Sequence, residues 1–177
     1  IDEAHDGLMN SPGHRANLMS TVATHIGVGI TFGDEVSGRR EMFVTQLFTR
    51  VPPRLDRDRA IETVRHKLVS VRRSVVLTTV LRELAQQFAD ALAAGQQREE
   101  AYQQIKDKLD GLGKIYQRVS TVISATADLD TVDATSLLGD TAAQEVGIGI
   151  AQGTHPELGE RAIWIIVLLG ERRASPR

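Results

Sequence analysis

The side chains best suited to chemistry near the start of the chain belong to one short run, in which His14 follows Ser11 and Pro12. Ser11 is expected to act as the N-cap of a short helix whose first residue is Pro12. The positive end of the helix dipole disfavours a protonated imidazole, so we expect His14 to stay neutral and able to bind a metal ion. Arg15 and Asn17 come next, and each is expected either to tie this loop to the helix or to contact a ligand.

A single histidine does not make a metal site, because zinc in proteins is held by three or four ligands. His5 and Glu3 on the preceding segment could supply a second ligand, or they could belong to a solvated polar helix face. Neither Ser11 nor Ser20 has a histidine and an acid at a recognisable spacing, so nothing positive indicates a Ser-His-Asp triad. His14 is therefore a metal-ligand candidate in an incomplete site.

The composition argues against several classes of function. The chain has 177 residues, of which 41% are apolar and 25% charged, as is typical of a soluble globular protein. A net charge of −2 and an aromatic content of 4% argue against a nucleic-acid-binding surface. The chain contains no cysteine, which excludes disulfides, thiolate zinc sites and cysteine nucleophiles. The longest apolar run, Ala162 to Leu169, is too short to span a bilayer, so we expect no transmembrane segment.

Glycine, proline and alternating apolar residues define the elements that position His14. Residues 1–9 are predicted to be the end of a helix, and the chain opens on Ile1 in what reads as the interior of a domain, so we expect further sequence before it. Residues 25–32 alternate apolar residues with glycine, which predicts a strand with one bare face that a helix could approach closely. A polar hairpin loop over 34–40 and a strand over 42–48 follow, and Pro52-Pro53 indicates a linker.

The rest of the chain reads as three helices followed by three strands. Apolar residues at helical spacing predict helices over 57–73, 76–94 and 98–109. Strands are predicted over 119–125, 146–152 and 163–169. The first helix lies in a basic stretch that is diluted by acidic residues. This mixture of basic and acidic residues indicates a solvated helix face or, alternatively, a weak contact with an anionic surface.

The sequence also contains an internal repeat. The segment from Leu18 to Ile30, LMSTVATHIGVGI, has a counterpart from Leu138 to Ile150, LGDTAAQEVGIGI. In both cases a charged hairpin, an apolar strand and a terminal arginine follow. Two Gly-x-Gly strands alone could resemble each other by chance. The two segments also share the order helix, strand, hairpin and strand, which makes chance an unlikely cause of the similarity.

Three motifs of the chain resemble the bacterial members of the CAP superfamily, the sperm-coating-protein-like and pathogenesis-related-1-like domains. They are SPGHRANL at 11–18, IGVGI at 26–30 and VTQLF at 44–48, in the family's order and near its spacing. By this resemblance residues 1–50 are the C-terminal part of one CAP domain and residues 51–54 are a Pro-rich linker. Residues 55–173 are then a second, degenerate CAP-like domain.

The resemblance implies an α+β fold, specifically an α-β-α sandwich with an antiparallel sheet between helical layers, in tandem with a truncated first copy. It also implies a cleft with two histidines and, in many members, two acidic residues, where some members bind zinc. His14 matches one cleft histidine, and Ser11, Arg15 and Asn17 share its motif. The helix with the other histidine and the acidic motif have no match in residues 1–50. We therefore expect no cofactor here, and zinc only in an intact domain.

For function, the resemblance implies a secreted or cell-envelope protein of bacterial type. We expect a non-catalytic binding or structural module whose partner is a small apolar or envelope ligand, and no nucleic-acid partner. The alternative is a hydrolase or a metal-dependent site that uses His14 together with residues of a missing N-terminal half.

Overall fold

The computed structural model describes residues 2–139 and 141–174, and the chain divides into two compact units between Val51 and Pro52. Unit 1 holds two helices and a hairpin: α1 (Asp2–Asn10), α2 (Pro12–Leu18), β1 (His25–Val36) and β2 (Arg39–Thr49). The chain combines helices with sheets, which confirms the predicted α+β class.

Unit 2 combines helices with a mixed sheet. Its elements are α3 (Arg57–Val71), β3 (Val76–Leu77), α4 (Thr79–Ala93), α5 (Arg98–Gly111), β4 (Tyr116–Thr126), α6 (Ala134–Leu138), β5 (Glu145–His155) and β6 (Gly159–Arg172). The strand order is β3-β5-β6-β4, with β3 parallel to β5 and the other pairs antiparallel. The long hairpin β5–β6 therefore forms the centre of this sheet.

Helices cover both faces of the unit 2 sheet. Successive residues of β6 alternate between two cores: Ile165 and Val167 pack with α3 and α6, whereas Ile166 and Leu168 pack with α4 and α5. A strand that is buried on both faces reads as a continuous apolar run, which explains the unbroken sequence of β6. Both cores are apolar throughout, and no buried polar or charged residue occurs in the described part of the chain.

Glycines in β5 allow α4 to lie directly on the sheet. A Cβ atom at Gly147 would overlap the backbone of Leu81, and one at Gly149 would overlap the carbonyl of Ala85. A third glycine, Gly153, meets α4 at Ala93 in the same way. The close approach of helix backbone to strand backbone requires residues without a Cβ at these positions.

Unit 1 has the same hairpin geometry without a core. β1 pairs antiparallel with β2 over Ile26↔Phe48 and Ile30↔Val44, and the chain reverses at Ser37 and Gly38 with φ of 56° and 74°. Among residues 5–51 whose side chains are described, none is buried. The strands are therefore held by backbone pairing and by their local sequence.

The structure corrects two boundaries expected from the sequence and adds one short helix. Val76 and Leu77 form β3 instead of starting the helix predicted over 76–94, because the Val76 amide donates to the Gln144 carbonyl across the sheet. The loop predicted over 34–40 is shorter, because both strands continue to the turn at Ser37. The short helix α6 was not predicted, since its five residues are too few to show helical periodicity.

Candidate functional site

His14 lies in the first turn of α2, where its imidazole contacts Ser11. Ser11 has the extended backbone of an N-cap, but its hydroxyl makes no capping hydrogen bond to the helix. Instead Ser11 Oγ lies 2.9 Å from His14 Nδ1, and the pair is exposed. This hydrogen bond engages Nδ1 and orients the ring.

The other two predicted cleft residues, Arg15 and Asn17, lie exposed on α2. Within residues 2–139 and 141–174 neither side chain makes a hydrogen bond, so a role in tying the loop to the helix or in contacting a ligand stays a prediction. A groove of about 450 Å³ runs beside α2. Of the predicted cleft residues Ser11, His14, Arg15 and Asn17, it is Arg15 that lines this groove. Its lining is Met9, Asn10, Pro12, Arg15, Ala16 and Met19.

The remaining histidines are described by their own contacts. His5 is exposed on α1, and the side chain of Glu3 lies outside the described residues. His25 contacts Thr24, and His155 packs on Trp164 with ring centres 4.9 Å apart. In the described part of the chain, no three His, Asp or Glu side chains cluster closely enough to hold a metal ion.

The basic stretch of α3 is bound into unit 2. Arg57 Nη2 lies 2.8 Å from Asp90 Oδ1 on α4, and Lys67 Nζ donates to the Asp130 carbonyl at 2.8 Å. Arg72 donates to the Ala143 carbonyl at 3.0 Å. These three contacts fasten α3 to its neighbours, and the expected contact of the basic stretch with an anionic surface stays a prediction.

A polar groove of about 530 Å³ lies where the start of unit 2 meets the hairpin β5–β6. Gln152 holds this corner together: its side chain bonds the Leu55 amide at 3.0 Å and the Pro53 carbonyl at 3.0 Å. Arg161, at a φ of 64°, donates to the Pro52 carbonyl at 2.9 Å. Arg54 and Glu160 also line the groove. The cavity could admit a small polar molecule, but its main polar contacts serve the fold.

A polar network that the sequence did not reveal crosses three strands of unit 2. The Tyr116 hydroxyl donates to Glu145 Oε2 at 2.6 Å, and Arg172 forms an ion pair with the other oxygen of Glu145. Burial of the ring and the hydrogen bond to the Glu145 carboxylate both raise the pKa of Tyr116. These residues lie far apart in sequence, and only the pairing of β4, β5 and β6 brings them together, so no local signal could have found them.

The most extensive unassigned feature of unit 1 is the apolar surface of its hairpin. Both faces expose large apolar side chains, including Val28 at 59%, Phe32 at 61% and Leu47 at 68%. Exposed apolar patches of this kind usually mark interaction sites. The sequence predicts the bare glycine face of β1 but does not indicate a ligand for it.

Comparison with known proteins does not identify the chain. No protein-family model, no curated protein and no solved structure matches it. In the described residues no helix has the length and apolar character needed to cross a membrane.

Proposed function

We propose that this chain is a non-catalytic binding or structural module of the kind that the CAP resemblance implies, in a secreted or cell-envelope protein. The observation that carries the proposal is the hairpin β1–β2, which exposes apolar residues on both faces. In a module whose work is binding, such a surface is the part that receives a partner.

The resemblance itself rests on the residues of the three motifs and on the repeat. Its support in the structure is the matching spacing of the two segments. Helix α2 ends at Leu18 and β1 begins at His25, while α6 ends at Leu138 and β5 begins at Glu145. In each segment the strand then pairs antiparallel with the next strand along the chain.

The proposal is tested by binding of a small apolar probe, anilinonaphthalene sulfonate, to the full chain. We expect a saturable rise in probe fluorescence that falls strongly in the variant Val28→Thr/Ile30→Thr/Met42→Thr, because these residues share one exposed face of the hairpin. The control is Val71→Thr/Leu158→Thr, which changes exposed apolar residues of unit 2. Equal probe binding by wild type and the hairpin variant would reject the proposal.

The alternative, a hydrolase that uses His14, is favoured by one observation: Ser11 and His14 are hydrogen-bonded at 2.9 Å. A Ser-His pair also needs a group that orients the imidazole and donors that stabilise the oxyanion. We therefore expect no turnover above buffer on a panel of fluorogenic ester and peptide substrates. Turnover that is lost in both Ser11→Ala and His14→Ala would establish the alternative.

A further inference from the structure

The turn between β5 and β6 is closed by the side chain of His155. Its Nδ1 atom accepts a hydrogen bond from the Glu157 amide at 3.1 Å and another from the Leu158 amide at 3.3 Å. Pro156, which precedes these two residues, has no amide hydrogen to offer. The imidazole therefore does here what an Asn or Asp side chain does in an Asx-turn.

These two hydrogen bonds fix the tautomer of the His155 ring. A neutral imidazole has one nitrogen that donates and one that accepts. Because Nδ1 accepts from two amides, the ring hydrogen of the neutral form lies on Nε2. A second proton can then be added only at Nδ1, which is the atom that closes the turn.

The protonated ring and the closed turn therefore exclude each other. A protonated imidazole donates from both nitrogens and accepts at neither. The amides of Glu157 and Leu158 would then face a third N–H group, and both would lose their acceptor. Histidine is the side chain whose charge ordinarily changes between about pH 5 and pH 8, so mild acid is enough to supply the proton.

Trp164 provides a contact that the protonated ring can keep. The ring centres of His155 and Trp164 lie 4.9 Å apart, with the ring planes at 50°. Trp is the aromatic ring that attracts a cation most strongly, so this contact tolerates the charge that the turn does not. The indole is itself held in place, because its Nε1 donates to the Thr154 carbonyl at 3.3 Å.

Several charged groups belong to the elements around this turn. They are Glu157 in the turn, Glu160 and Arg161 of β6, Asp90 of α4 and Asp128 after β4. Arg161 donates to the Pro52 carbonyl at 2.9 Å, and Asp90 is paired with Arg57 at 2.8 Å. Carboxylates favour a positive ring and a guanidinium opposes it. These charges influence how readily the ring is protonated, but they do not change the atom that receives the proton.

We propose that His155 is a pH-sensitive switch of the β5–β6 turn. The neutral imidazole holds the turn closed, and a proton from solvent, added at Nδ1, releases the amides of Glu157 and Leu158. Thr154 and Glu160, on either side of the turn, line the polar groove at the start of unit 2, so opening of the turn alters the wall of that groove. The switch is independent of the binding function proposed for the hairpin of unit 1.

The test compares the full chain with the variant His155→Asn. The side-chain oxygen of asparagine can accept from the same amides, as in an Asx-turn, but it does not titrate. At about pH 8 we expect the Glu157 and Leu158 amides to exchange with solvent equally fast in both proteins, measured by NMR. At about pH 5 they should exchange at least about tenfold faster in wild type, because both amides have lost their acceptor. Comparing the two proteins at one pH removes the intrinsic pH dependence of exchange.

Two further readouts make the test specific to His155. Nitrogen-15 shifts of the ring should show the hydrogen on Nε2 at about pH 8. The fluorescence of Trp164 should fall on acidification, because a protonated imidazole in contact with indole quenches its emission. The control His66→Asn, which removes an exposed histidine of α3, should keep this response, and His155→Asn should lose it.

Two results would overturn the proposal. One is a ring hydrogen on Nδ1 at about pH 8, since that nitrogen could not then accept from the turn. The other is equal exchange of the Glu157 and Leu158 amides in wild type and His155→Asn at about pH 5. Equal exchange would count against the switch even if the fluorescence changed, because the ring would then titrate without opening the turn.

Discussion

Two hairpins of this chain share a strand sequence and a register but differ in their surroundings. Ile26 pairs with Phe48 in unit 1 as Val146 pairs with Leu169 in unit 2. In unit 2 both faces of the hairpin are buried under helices, and in unit 1 neither face is buried. Strand and register are therefore encoded locally, whereas the stabilising effect of the same side chains depends on what covers them.

Burial removes apolar surface from water, and each fully buried aliphatic side chain contributes roughly 1.5–3 kcal/mol. An exposed equivalent contributes little. Identical substitutions at matched positions should therefore have very different costs in the two units. Unfolding of unit 2 is read from the fluorescence of Trp164, the single tryptophan of the chain. Changes in β1 are read from amide hydrogen exchange of residues 26–30.

The largest effect is expected for Gly147→Ala/Gly149→Ala. Both new methyl groups would overlap the backbone of α4, which has no flexible end to move aside. Overpacking a core typically costs about 1–3 kcal/mol per site, so the double variant should lose several kcal/mol of unfolding free energy and show no cooperative urea transition at room temperature.

The matched control is Gly27→Ala/Gly29→Ala. Nothing lies within 4 Å of either new methyl group, and alanine is the better strand residue. Exchange of the β1 amides should stay the same or slow slightly. A loss of stability as large as that in unit 2 would show that the face of the hairpin that carries Gly27 and Gly29 is already packed in solution.

The next largest effect on stability is expected on the other face of each hairpin, the face without the glycines. Ile148→Ala removes a fully buried side chain from the core beneath α3 and α6, and it should cost about 2–5 kcal/mol in urea unfolding. Val28→Ala changes the equivalent residue of unit 1, which is 59% exposed, and should cost less than about 0.5 kcal/mol. Similar costs at the two positions would contradict the view that burial separates them.

The sequence predicted elements better than it predicted their surroundings. Periodicity located α3 and α5, because apolar spacing reflects which faces are buried. Alternating apolar residues located the strands of both hairpins, although only the hairpin of unit 2 is buried. The same pattern predicted a helix over Val76 and Leu77, where pairing with β5 prevails over local preference. The bare face of β1 was recognised, but the pattern does not say whether a helix lies on it.

In the candidate site, too, the sequence predicts local contacts but not contacts between distant residues. A local motif is enough to place Ser11 and His14 within hydrogen-bonding distance, since they are three residues apart at the start of a helix. The network of Tyr116, Glu145 and Arg172 depends on the order of strands in the sheet, which short-range sequence patterns do not contain. The CAP relationship and the two-copy organisation stay predictions.

A moderate effect is expected for Tyr116→Phe. Glu145 begins β5 as His25 begins β1. The side chain of Glu145 contacts two other strands, whereas the side chain of His25 contacts the neighbouring Thr24. Losing a hydrogen bond to this charged group should cost about 1.5–3 kcal/mol, read from urea unfolding. His25→Ala, which removes only a local contact with Thr24, should leave the stability almost unchanged.

The pH dependence gives this prediction a second readout. Because the pKa of Tyr116 is raised in the folded chain, its contribution to stability is full below the pKa of an unfolded tyrosine, about 10, and is lost as the pH rises through the folded pKa. Wild type should therefore lose stability above about pH 10 more steeply than Tyr116→Phe does. Parallel losses in the two proteins would show that Tyr116 titrates normally.

The smallest effect on stability is expected from the N-caps of α2 and α6, the two short helices that precede the hairpins. Asp133 caps α6 by accepting from the amides of Thr135 and Ser136, whereas the side chain of Ser11 gives α2 no capping bond. Asp133→Ala should lower the melting temperature slightly, and Ser11→Ala should leave the exchange of the β1 amides unchanged.

Acid titration tests the Asp133 cap directly. The Ser136 hydroxyl and the amides of Thr135 and Ser136 hold the pKa of Asp133 below its usual value. The cap is therefore present at neutral pH and is lost as the pH falls from about 4 through the lower folded pKa. The difference in melting temperature between wild type and Asp133→Ala should shrink over that range. A difference that persists in strong acid would mean that Asp133 stabilises α6 by packing and not by its charge, and the two short helices would then be more alike than their caps indicate.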